Sequence, residues 1–161
     1  MLSKGQPFPD FELKNHQGAT VTREDLIGHW TIVYFYMKDY SDICTNLAKG
    51  FTALAKKFKA RSCEVWGVSV DSVRSHSNVV TKHRLYQSLI SDPQHKLMAA
   101  CGVWAPKQVH GKSVMGAHRT TFIVDPEGLV REVMTEVVPL HHPAQVAESL
   151  ALVQKTLEAQ A

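Results

Sequence analysis

Six consecutive residues, Thr31-Ile32-Val33-Tyr34-Phe35-Tyr36, are β-branched or aromatic at every position. A strand with one wet face alternates apolar and polar, so an unbroken run of this length marks a strand covered on both faces. A central strand is expected here. A polar loop follows, Met37-Lys38-Asp39-Tyr40, and Ser41 then offers an N-cap oxygen. Beyond it Leu47, Phe51, Leu54 and Phe58 recur three or four residues apart, one face of a helix expected from about Asp42 to Ala60 or Arg61. Cys44 falls in the first turn of that helix.

The remaining pattern organises around this unit. Phe8 to Leu13 alternates as an edge strand would, with its prolines near the start. Asn15 to Gly18 is a turn, and Ala19 to Val21 a second short strand. Thr22 to Leu26 has the form of a capping box with Asp25 in the acidic place, opening one helical turn that stops at Gly28. These pieces are expected to form a hairpin and a lid over one end of the sheet. Cys63 to Val70 reads as a second inner strand, parallel to the first because a helix crosses between them. Ser75 is the expected cap of a helix through about Arg84, Leu89-Ile90 a short segment, and Gln94 to Cys101 a helix closed by Gly102. From Gly102 to Gly116 the pattern is irregular, a surface passage expected near Cys44. Thr120 to Val124, the turn at Asp125 to Gly128, and Leu129 to Val137 form an antiparallel pair, and a last helix starts at Pro143 with Val146, Leu150, Val153 and Leu157 on one face. The order of elements is that of an α/β thioredoxin-like fold, a central mixed sheet flanked by helices, in one domain over 1–161.

Composition narrows the function classes. The 161 residues are 44% hydrophobic and 20% charged, ordinary for a globular domain with a sizeable core. The formal charge of +3 is spread over helix surfaces with acids nearby, which gives no support to nucleic-acid binding. No apolar signal stretch opens the chain and no run is long enough to cross a bilayer, so a cytoplasmic protein without membrane contact is expected. Cys44, Cys63 and Cys101 are odd in number and widely spaced, which argues against a disulfide framework or a structural zinc site. Among nine histidines the nearest groupings are His141-His142 and His110 with His118; adjacent residues on an extended strand point apart, and no metal or other cofactor is expected.

Cys44 therefore carries the candidate chemistry. The first turn of a helix presents unpaired backbone N–H groups and the positive end of the helix dipole, which favour a thiolate over a thiol. The plain alternative is that Cys44 is a small buried hydrophobe, the commonest fate of a free cysteine.

The surrounding residues bear on that choice. Tyr34-Phe35-Tyr36-Met37-Lys38-Asp39-Tyr40-Ser41-Asp42-Ile43-Cys44-Thr45 resembles the active-site stretch of peroxiredoxins of the Q-type, or bacterioferritin-comigratory, subfamily. The resemblance continues through Pro9-Asp10-Phe11 with Leu13 and Gly18, Gly67 to Ser72 with Ser75-His76, Leu89 to Asp92, and Arg119 to Gly128. Five blocks stand in the same order. The resemblance implies a thiol-dependent peroxidase in which the Cys44 thiolate attacks hydrogen peroxide or a small organic hydroperoxide and becomes a sulfenic acid. It also implies that Ser41 supplies a hydroxyl to the peroxide and that the Arg119 guanidinium stabilises the thiolate and polarises the O–O bond. The backbone N–H groups of Ile43 and Cys44 are further candidate donors. Lys38 and Asp39 match the motif and are read as solvated loop residues.

The chain departs from the subfamily at several positions. Met37 stands for a proline that shields the thiolate and fixes the loop, Leu47 for a glutamate, and Asp42-Ile43 for Pro-Gly. Asp42 brings a negative charge beside the thiolate, which opposes its ionisation. The resolving cysteine of many members would stand at Lys49 or near Val80, and neither is cysteine. The resemblance then implies a one-cysteine cycle with an external reductant, glutathione or a thioredoxin-like protein. Cys63, in an inner strand, and Cys101, at a helix end and expected to be the more exposed, are the minor candidates for resolving cysteine. The oligomeric expectation is a monomer or homodimer. A second reading is a non-catalytic thioredoxin-fold protein or redox sensor that keeps an oxidisable Cys44. A third, a disulfide reductase, is disfavoured by the missing CxxC pair.

Overall fold

The structure is a computed structural model, and it describes residues 1–135 and 137–160. The apolar run does form the central strand. It is β3, Trp30–Phe35, whose last five residues are all buried. On one side it pairs in parallel with β4, Cys63–Ser69, and on the other antiparallel with β8, Thr120–Val124. Around these stand β1, Glu12–Asn15; β2, Thr20–Thr22; β5, Ser88–Ser91; and β9, Val130–Met134. The seven-stranded sheet runs β2-β1-β5-β4-β3-β8-β9. The strand expected to reach Val137 ends at Met134, and Glu136 lies outside the described residues.

Because side chains alternate across a strand, the sheet has two apolar faces, each with its own core. One face carries Ile32, Tyr34 and Tyr36 of the central strand and its extension, and is covered by helices. These are α1, Asp42–Ala53; α2, Ala55–Ala60; α3, Val73–His83; and α5, His142–Gln160. Helices α1 and α5 meet closely at Gly50, where a Cβ would lie 2.8 Å from Pro143 Cγ. The other face carries Val33 and Phe35. It is covered by Phe8, Leu26, the short helix α4 (Lys96–Ala100) and the start of a two-stranded hairpin, β6 (Trp104–Val109) with β7 (Lys112–Ala117).

Several boundaries differ from the sequence expectation, each for a local reason. The helix after Cys44 is interrupted at Leu54, whose φ of −101° and ψ of 13° are not helical, so α1 and α2 are separate helices. The apolar spacing continues across the break because both pieces lie on the same sheet face. Ser72, not Ser75, caps α3: its side chain accepts the Ser75 N–H. Phe8 is fully buried and the strand begins later, at Glu12; β1 lies between β2 and β5, so the edge strand is β2. The β1–β2 hairpin extends the sheet sideways and is not a lid. The segment from Gly102 to Gly116 is mostly the β6–β7 hairpin, concealed in the sequence because its outward positions are mixed polar and apolar with Pro106 inside the first strand.

Candidate active site

Strand β3 delivers the chain to its carboxyl end, and the loop Tyr36 to Tyr40 turns it into α1. Tyr40 adopts φ 65°, a left-handed conformation that a bulky residue reaches only when its surroundings hold it there. The loop is held by Asp39. Its carboxylate accepts the Tyr36 hydroxyl at 2.7 Å and the Ser75 hydroxyl at 2.8 Å, and it meets His76 Nδ1 at 2.7 Å, while its own N–H donates to Asp71 at 2.8 Å. The other His76 nitrogen faces the Ile90 carbonyl at 3.1 Å. With an acceptor on each side, the ring satisfies both only when it carries both protons. Burial alone would raise the Asp39 carboxyl, but the hydrogen bond and charge of His76, with the Tyr36 and Ser75 hydroxyls, hold it below the usual carboxylate range.

Asp39 is therefore not the solvated loop residue expected from the sequence. It is 6% exposed and ties the loop to α3 and to the end of β4; Lys38 beside it is exposed, as expected. The motif resemblance could have flagged Asp39, but only the tertiary structure brings His76 to it. Among the described residues, Asp39, Asp71 and His76 are the histidine and acid groups that gather, unlike His141-His142 or His110 with His118. Their facing atoms are already engaged with one another and with Ser69, Ser75 and Tyr36, so they form a hydrogen-bonded anchor and offer no ready metal site.

Ser41 caps α1. Its Oγ accepts the Cys44 N–H at 3.0 Å, so the Cys44 amide is not free to serve a ligand. The Ser41 hydroxyl proton remains available to donate, which lets one side chain be both cap and ligand donor. Cys44 is 4% exposed and lines a crevice of about 10 Å³ with Tyr36, Asp39, Tyr40, Thr45 and Ala48, room for about one water. Behind it Gln87 locks the helix start to the sheet: its amide donates to the Ala48 carbonyl and the Tyr34 hydroxyl, both at 2.9 Å, and accepts from Thr52. Nothing local in the sequence marks that buried glutamine.

Arg119 arrives from the neighbouring strand. Thr120 pairs with Phe35, so Arg119 stands beside the point where the chain leaves β3 for the Cys44 loop. Its Nε is buried and, among the described residues, has no hydrogen-bond partner. A buried unpaired donor is costly in a folded protein and marks a place where a ligand is expected. Arg119, Lys107, His118 and Thr120 line one surface depression of about 500 Å³. The structure therefore brings Ser41, Cys44 and Arg119 to one end of the central strands.

The other thiols are elsewhere. Cys63 opens β4 opposite Trp30, at the far end of the same strands, some six residues or roughly 20 Å of strand from the Cys44 loop. Cys101 is 0% exposed, which corrects its expected exposure, and belongs to the core on the other sheet face. A disulfide needs Cα atoms within about 7 Å, whereas Cys63 lies at the far end of the strands and Cys101 in the core of the opposite sheet face.

Over most of its length the chain is similar to known proteins. The profile of the AhpC/TSA family matches residues 4–133. Peroxiredoxin Bcp of Bacillus subtilis is 37% identical over 146 residues, 91% of this chain and 93% of its own. Peroxiredoxin Bcp of Xanthomonas campestris is 36% identical over 88% of each chain. Among solved structures, the Xanthomonas campestris bacterioferritin comigratory protein, described for alkyl peroxide reduction activity, superposes with a TM-score of 0.86 at 33% identity, covering 94% of this chain and 97% of that one. BcpB of Mycobacterium tuberculosis superposes at 0.83 with 28% identity, covering 94% and 98%.

Proposed function

This chain belongs to the AhpC/TSA family and is a thiol-dependent peroxidase of the peroxiredoxin kind, and from that premise we propose that Cys44, Ser41 and Arg119 carry the peroxide chemistry in a one-cysteine cycle. The observation that carries the assignment is the placement, at one end of the central strands, of a capped helix start at Cys44 and of Arg119, whose buried Nε has no partner among the described residues.

In the first half-reaction the Cys44 thiolate attacks the terminal oxygen of ROOH. The S–O bond forms as the O–O bond breaks, giving Cys44–SOH and RO⁻, which takes a proton to leave as alcohol or, from hydrogen peroxide, as water. Arg119 donates to the oxygens on which negative charge grows, and the Ser41 hydroxyl holds the peroxide while its Oγ keeps the cap. The alkyl peroxide activity described for the Xanthomonas relative supports small organic hydroperoxides as substrates beside hydrogen peroxide.

In the second half-reaction an external thiol R′SH condenses with Cys44–SOH, releasing water and leaving a mixed disulfide that a further thiol reduces. The reductant we favour is glutathione or a thioredoxin-like protein in the cytoplasm, with the enzyme acting as a monomer or homodimer. Support comes from Cys63 and Cys101, which burial, joined by Glu64 and Asp92 respectively, pushes up to about 12. Such thiols are poor resolving nucleophiles.

The test is peroxide consumption with each reductant, together with intact mass after one equivalent of peroxide. Turnover with a Cys44 sulfenic acid is expected. Oxidation of Cys44 without turnover would make the protein a sensor, and a near-quantitative Cys44 to Cys101 disulfide would overturn the one-cysteine cycle.

A further inference from the structure

Resting on the reading of Cys44 as the peroxidatic residue, we propose that Lys107 is a positioning residue for the peroxide step. Its ammonium ties the β6–β7 hairpin to the loop before Cys44 through Met37 and sets a second positive charge beside Arg119.

The contacts are specific. Lys107 Nζ donates to the Ala117 carbonyl at 2.8 Å and to the Met37 Sδ at 3.2 Å. A lysine on an exposed hairpin ordinarily extends into water, where its long stem keeps its rotamer freedom and its charge stays hydrated. Here the stem folds back over β7. Lys107 pairs with Val114, and the residue that lets the stem turn toward Ala117 is Gly116, where a Cβ would stand 2.9 Å from Lys107 Cδ. Gly116 does not have a positive φ, so its lack of a side chain serves space and not backbone conformation.

The tie acts on the part of the loop that is otherwise loose. Asp39 anchors one side of the loop to α3 and β4. Met37, two residues earlier, is 39% exposed and has an unbranched side chain with three rotatable bonds. With Lys107 on its sulfur the loop is held from both sides, and a loop so held presents Ser41 and Cys44 in one geometry. The charges converge as well. Burial and the Arg119 guanidinium push the Lys107 ammonium below the ordinary lysine range, while Cys44 pulls it up. Of the other charged groups around Cys44, Asp42 is exposed in the first turn of α1 and opposes the thiolate, and the Asp39 carboxylate is engaged by His76. Lys107 therefore offsets Asp42.

Three variants test this: Lys107→Met, Lys107→Arg and Gly116→Ala. Two rates are read, oxidation of Cys44 by peroxide and alkylation of Cys44 by iodoacetamide across pH, with peptide mapping and melting temperature. Lys107→Met is expected to slow oxidation roughly tenfold and to move the alkylation midpoint upward by about half a unit to one unit. Lys107→Arg should restore the midpoint by keeping the charge. Gly116→Ala, which keeps the amine but displaces its stem, should fall between wild type and Lys107→Met. Wild-type oxidation and alkylation in Lys107→Met would overturn the proposal. So would an equal loss in the Met and Arg variants with a lower melting temperature and an unmoved midpoint, since Lys107 would then only staple the hairpin. Alkylation needs no peroxide, so a wild-type protein that alkylates at Cys44 but consumes no peroxide would refute the peroxidase assignment separately.

Discussion

Cys44 and Cys101 are both buried and both lie at the end of a helix, yet their surroundings are opposite. Cys44 sits in the first turn of α1, where N–H groups point outward and the Lys107 ammonium of the hairpin bears on it, with Arg119, just before β8, beside Lys107. Cys101 is the C-cap of α4, where carbonyls converge, and its environment adds the Asp92 carboxylate. Burial there pushes the thiol up to about 12, with Asp92 adding to the effect. Burial by itself makes a cysteine inert. What separates the two is the sign of the helix end and the charge brought to it by other strands.

The strongest way to break this contrast is to exchange the sulfurs for oxygen. Cys44→Ser should abolish peroxide consumption, while Cys101→Ser and Cys63→Ser should keep most of it. Equal activity of Cys44→Ser and wild type would remove the assignment altogether. Next in size is Arg119→Met, expected to slow Cys44 oxidation roughly a hundredfold, the scale of losing one donor to a developing oxyanion. Because Arg119 Nε is buried without a partner among the described residues, this variant should melt at the same or a higher temperature, the mark of a group held for function at some expense of stability. A lower melting temperature with normal oxidation of the folded fraction would make Arg119 structural.

Asp39→Ala sharpens the comparison from the other side of the loop. It leaves His76 buried between lost and remaining acceptors, and a broken buried pair costs about 3 kcal/mol or more. Urea unfolding should show that loss. Since the Asp39 carboxyl is held low in the folded state, the stability it contributes is present above the ordinary carboxylate range and disappears as pH falls through its folded value. An acid limb of the stability profile that is the same in wild type and Asp39→Ala would contradict the anchor.

The smallest effect concerns His142, far from both cysteines in sequence and buried against Thr121 at 2.7 Å. Burial pushes it down to about 4. Between that value and the ordinary 6.5 the unfolded chain binds the extra proton, so stability should fall as pH drops through this window. His142→Gln should flatten the decline in melting temperature between pH 6.5 and 4.5 by several degrees. An unchanged slope would mean that another group titrates there.

Much of this architecture is written locally. The β-branched and aromatic run at Thr31 to Tyr36 reads as a covered strand, Ser41 is a good cap ahead of a helix, and Cys44 follows at a fixed offset. Backbone periodicity and capping act over a few residues, so the order of elements, the helix start and the nucleophile were legible without coordinates. The resemblance of the Arg119 block also named its residue, because a motif is local too. The tertiary structure alone decided what these groups meet. Asp39 looked solvated until His76 arrived from 37 residues away. Lys107 was one surface lysine among others until a hairpin, with Gly116 giving its stem room, laid it on Met37 70 residues distant. Cys101 passed for exposed because a helix end usually is, but the second sheet face needed it for its core. Burial, hydrogen-bond partners and charge pairing depend on long-range contacts whose partners carry no shared local signal, and those contacts decide which of three buried cysteines has the setting of a nucleophile.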